Sequence, residues 1–85
     1  MSPDPQAILE AEDLGWALGE LLELIWRGKR SGVMAHELEP KLFQACMTVI
    51  SNQPFEVRQE VAEIIKATEY WVVFRPSGYA NSRSR

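Results

Sequence analysis

The stretch AILEAEDLGWALGELLELIW, Ala7 to Trp26, decides how this chain folds. Within it Ala7, Ala11, Leu14, Leu18, Leu21 and Ile25 recur at steps of 4, 3, 4, 3 and 4. That spacing lines one stripe of a helix with apolar side chains and turns it toward a partner helix. It predicts one continuous helix over 4–27, capped by Asp4 with Pro5 at the first helical position. Gly28 is the expected stop, with Arg27, Lys29 and Arg30 complementing the negative end of the helix.

Successive residues of a helix advance by about 100° around its axis. With Leu14 at the origin, Ile8, Gly15, Gly19 and Trp26 fall together on a second stripe about 100–140° away. A glycine inside a helix costs about 1 kcal/mol relative to alanine. The pair Gly15 and Gly19, one turn apart, therefore predicts a packing notch that admits another backbone at close range. Leu9 and Trp16 lie nearly opposite the main seam, among Glu12, Asp13, Glu20 and Glu23. A tryptophan in that position predicts a docking patch with an acidic rim, covered by a second copy or by another protein.

Outward from this segment, Pro40 after Glu39 opens a helix over 40–51, and 33–38 is compatible with a separate short turn leading into it. The run Ser51, Asn52, Gln53, Pro54 punctuates the chain again. A third helix over 54–74 carries the seam Val57, Val61, Ile64, Thr68, Trp71. Its last part, Tyr70 to Phe74, favours strand by residue type. The helical period runs through it, and no second strand is in sight to pair with it. Pro76 is expected to push Arg75 into extended backbone. The expected architecture is all-α: a compact three-helix unit in a single domain over 1–75, paired with a second copy as a homodimeric bundle. A disordered polar and basic tail over 76–85 follows.

The bulk properties fit this. Eighty-five residues suffice for one domain with a thin core, and small helical chains often gain core by associating. A net charge of -3 speaks against phosphate backbones or anionic lipid as main partners. Glu20 and Glu23 interrupt the longest apolar run, so no membrane span is expected. The opening MSPDP has neither a basic start nor an apolar run, so no signal peptide is expected. The single Cys46 cannot form an internal disulfide, which suits a reducing cytoplasm.

Chemistry is sparse. His36 and Cys46 would stand about 15 Å apart along a shared helix, too far for a thiolate–imidazole pair. Glu37 and Glu39 beside His36 lack the further histidine or cysteine that zinc prefers. No catalytic residue, cofactor or metal site is expected. The reading that remains is a small non-enzymatic interaction module, an oligomeric adaptor or regulator. Its partner-binding residues would be Leu9, Trp16, Tyr70, Trp71 and Phe74. The alternative is a small DNA-associated regulator with a degenerate helix–turn–helix between Arg30 and Ile50. It would use Arg27, Lys29, Arg30 and the tail residues Arg75, Arg83 and Arg85 on phosphates. With only Lys41 basic between Pro40 and Ser51, nucleic acid is the weaker partner.

Overall fold

Among the described residues the chain forms five helices rather than three. The computed structural model describes residues 3–78, with side chains through residue 68, and no strand occurs among the described residues. In order they are α1 (Pro5–Ala11), α2 (Leu14–Ser31), α3 (Ala35–Leu38), α4 (Pro40–Ser51) and α5 (Phe55–Gly78). The all-α class and the span 40–51 are as the sequence predicts, and α3 is the short turn leading into α4.

The long first helix is not continuous. Glu12 takes left-handed backbone (φ 52°) and sends its N–H back to the Ile8 carbonyl, closing α1. Asp13 then opens α2, its Oδ1 accepting the Trp16 N–H at 3.2 Å. Both new ends are capped locally, so the break leaves few orphaned backbone groups. What it gains is Ile8. In a straight helix Ile8 shares the outer face with Gly15, Gly19 and Trp26; after the break it is fully buried in the core, on a helix that packs against α4. The seam shifts accordingly. Ala11 is exposed and Leu14 and Leu18 are only half-buried, while Ala17, Leu21, Leu24, Ile25 and Gly28 form the buried stripe of α2. The steps along Ala17, Leu21, Leu24, Gly28 are again 4, 3 and 4, one register away from the stripe expected.

The glycines exchange roles in the same way. α2 passes through Gly28 and ends at Gly32, whose φ of 74° is the left-handed cap. The Val33 N–H bonds the Gly28 carbonyl at 2.8 Å, folding the chain back over the last turn. A Cβ on Gly28 would collide with the Val33 carbonyl oxygen, so this is the close approach that needs glycine. Gly15 and Gly19 form no notch within the chain. A Cβ on Gly15 would meet only Asp13 Oδ1 at 3.4 Å, and one on Gly19 nothing within 4 Å. Both face outward because the buried stripe runs along the other side of α2.

α4 starts at Pro40, and Glu39 before it is extended (φ -143°, ψ 86°), as a residue ahead of proline must be. Its Leu42, Ala45, Cys46, Val49 and Ile50 are buried against α1 and α2. α5 rests mainly on α2. Val61 is buried and Val57, Ile65 and Thr68 half-buried, whereas Ile64, expected on the seam, is exposed. Tyr70–Phe74 continues as helix. So does Pro76, which sits in the final turn, where its missing N–H removes a single ladder bond, to the Val72 carbonyl. Residues 79–85, the rest of the expected tail, lie outside the described residues.

The extents are 47 × 30 × 16 Å and the radius of gyration is 14.3 Å. A compact chain of this length has a radius of about 12 Å. The molecule is a thin slab, and large apolar side chains such as Met34 and Phe55 stay exposed on it.

Candidate functional site

One stretch of accessible apolar surface lies where the end of α2, the 33–35 connection, α3, α4 and α5 meet. An open recess of about 470 Å³ lies there. Its floor is Leu21, Ile25 and Gly28; Phe43 and Met47 of α4 form one wall, and Val33, Met34 and Ile65 form others. The bare Gly28 lets the 33–35 backbone lie directly on α2, which shapes the floor. Around these apolar groups stand Lys29, His36 and Glu37.

Short polar contacts hold the walls. The Met34 N–H donates to Glu37 Oε1 at 3.4 Å across the start of α3. Arg27 Nη1 donates to Glu39 Oε2 at 3.1 Å, tying α2 to the α3–α4 junction. This pair is partly exposed, so screening holds its contribution to about 1 kcal/mol. The His36 ring meets Phe43 edge-on, with centroids 6.0 Å apart. Among the described side chains, the exposed large apolar ones are Met34 (60%), Phe55 (61%), Ile64 (43%) and Trp26 (39%). Trp26 carries the Arg30 guanidinium 4.5 Å above its ring, and Arg58 stands 5.8 Å over Phe55.

The residues expected to bind a partner are distributed differently. Leu9 and Trp16 are half-buried and pack against the core, Leu9 from α1 and Trp16 from α2. The break at Glu12 removes the seven-residue register that placed them on one outer stripe. The side chains of Tyr70, Trp71 and Phe74 lie outside the described residues. The recess itself escaped the sequence reading. Phe43 and Met47 belong to the apolar side of α4, and Met34 falls in the short turn expected over 33–38. The one available signal was an apolar Val33–Met34 pair directly after Gly32, in a link that should be polar.

Of the three basic residues at the end of α2, Arg27 is bonded to Glu39 and Arg30 is stacked on Trp26. His36 is exposed and Cys46 is buried in the core, so the two do not meet. Among the described residues no three His, Cys, Asp or Glu side chains are placed to hold a metal ion. Nor is any helix long and apolar enough to cross a membrane. Burial pushes the Cys46 thiol from 9.0 up to about 11, and the Glu20 carboxylate adds to the rise.

That shift has a measurable consequence. The unfolded thiol ionises near its ordinary 9.0 and the folded one near 11, so the folded chain holds its proton longer. The stabilisation from a neutral Cys46 is complete below pH 9.0 and is lost as the pH climbs toward 11. Denaturant titrations should show stability falling across that window. Cys46→Ala should flatten the decline; an equal slope in the variant would assign it to other groups.

No protein-family model matches this chain, and no curated protein or solved structure is significantly similar to it.

Proposed function

We propose that this chain is a small non-enzymatic protein–protein interaction module, an oligomeric adaptor or regulator, that works as a homodimer. One observation carries the reading: the 470 Å³ recess is built mainly from aliphatic, methionine and phenylalanine side chains and opens outward on a thin slab. Concave, mainly apolar recesses of about 300–1,000 Å³ with a few polar groups at the edge are the usual form of a binding site. Lys29, His36 and Glu37 at its edge suit orientation of a partner; they do not make a nucleophile–base pair of the kind hydrolytic chemistry needs. The occupant we favour is a second copy, because a thin slab of 85 residues has the most core to gain from its own duplicate. The single buried thiol supports assignment to the cytoplasm.

The weaker alternative, a DNA-associated regulator, would have to draw Arg27 and Arg30 away from Glu39 and Trp26 to reach phosphates. Light scattering of the full chain across a dilution series tests the leading reading. A molar mass near twice 9.7 kDa, falling toward 9.7 kDa on dilution, is expected. A mass fixed at the monomer value up to millimolar concentration would end the homodimer reading.

A further inference from the structure

We propose that two copies of this chain pair by exchanging α1, each seating its Ile8 against the α4 of the other. The inference rests on the homodimer reading above and supplies an interface for it. α1 packs against α4 rather than against α2, its neighbour in sequence. Only Glu12 and Asp13 separate the two helices. Straightening those two residues turns 5–31 into one helix and carries α1 off its own α4. The face of α4 that it leaves is complementary to this one segment, and a second copy supplies the same segment unchanged.

Local forces at the break favour the straight form. Glu12 (φ 52°, ψ 33°) is the one residue with a side chain, among those described, that holds left-handed backbone. Such backbone lowers the population of a residue carrying a Cβ by a factor of about 5–30. A short hinge under strain is a usual origin of segment exchange. The apolar steps 4, 3, 4 from Ala7 through Ala11 and Leu14 to Leu18 line up only in a straight helix. In the broken chain Ala11 is exposed, and Ala7, Leu14 and Leu18 are only half-buried. The burial of Ile8 on α4 is what holds the break. The α4 of a second copy gives Ile8 the same burial with no left-handed residue. In the straight helix Ile8 shares its stripe with Gly15 and Gly19, and a Cβ on Gly19 has nothing within 4 Å. The backbone of the other copy therefore has room to approach along that stripe.

The test uses the full chain as wild type, Glu12→Gly and Asp13→Ala, with dimer dissociation constants read by sedimentation. Glycine adopts left-handed backbone without penalty and weakens a straight helix, so Glu12→Gly holds the break. Each dimer contains two hinges, so this variant should dimerise at least about 25-fold more weakly. Asp13→Ala removes the oxygen that accepts the Trp16 N–H at the start of α2, and should tighten the dimer at least about fivefold. If Glu12→Gly dimerises like wild type, or Asp13→Ala no more tightly, the hinge does not open and the proposal fails. Independently of any variant, a wild-type dimer mixed from isotope-labelled and unlabelled copies should show contacts between the Ile8 methyls of one copy and the α4 methyls of the other. A verified dimer in which those contacts stay within one chain overturns the exchange and leaves the homodimer standing. A wild-type chain that stays monomeric at every concentration defeats both.

Discussion

Gly28→Ala is expected to lower the stability of this protein by about 2 kcal/mol, and Gly19→Ala to raise it by up to about 1 kcal/mol. The two changes are chemically identical, both lie inside α2, and both gain the same helix propensity. They differ in what the new methyl meets. At Gly19 nothing lies within 4 Å, so propensity acts alone. At Gly28 the methyl would strike the Val33 carbonyl oxygen, with the Ala35 nitrogen 3.4 Å away. Both are backbone atoms, which cannot swing aside as the end of a flexible side chain would. The 33–35 connection must lift off α2, weakening the Val33–Gly28 hydrogen bond and opening the floor of the recess. For a domain this size the melting midpoints should move in opposite directions, by about 4–8 °C per kcal/mol. A Gly28→Ala protein melting at or above wild type would mean that the connection does not rest on α2.

Ile8→Ala should cost about 2–5 kcal/mol, the usual range for truncating a fully buried isoleucine. Total stability for a chain of this length is about 4–13 kcal/mol, so the loss is a large share of the whole. Ile8 is the one buried residue of α1; Leu9, the other large apolar side chain there, is only half-buried. The damage should be local. Amide exchange in Pro5–Ala11 should accelerate well beyond that in α2 and α4, and protease should gain access near Glu12. A continuous first helix predicts otherwise, since Ile8 would then lie on the exposed side with Trp26. A cost below about 0.5 kcal/mol, the level of an ordinary surface substitution, would therefore speak for the unbroken helix.

These expectations mark where reading the sequence succeeds and where it misleads. α4 is legible to the residue because Pro40 and the Ser51–Pro54 punctuation act within one turn of the helix they bound. The Asp4 cap and Pro5 start of α1 are legible for the same reason. The repeat from Ala7 to Ile25 misleads because two short helices, read end to end, reproduce the period of one long one. Asp13 is a good cap, yet it is also tolerated mid-helix; burying Ile8 against α4 tips the choice toward the break.

By itself, then, the sequence determined the all-α class, the apolar character of the helices, both ends of α4 and the starts of α1 and α5, since caps, prolines and periodicity act over neighbouring residues. Only the tertiary structure decided which face of α2 is buried, which glycine must remain glycine, and where the open recess lies. Each of those depends on what the 33–35 connection, α3, α4 and α5 bring against α2 from 5 to more than 40 residues away. No pattern within one helix encodes the arrival of another.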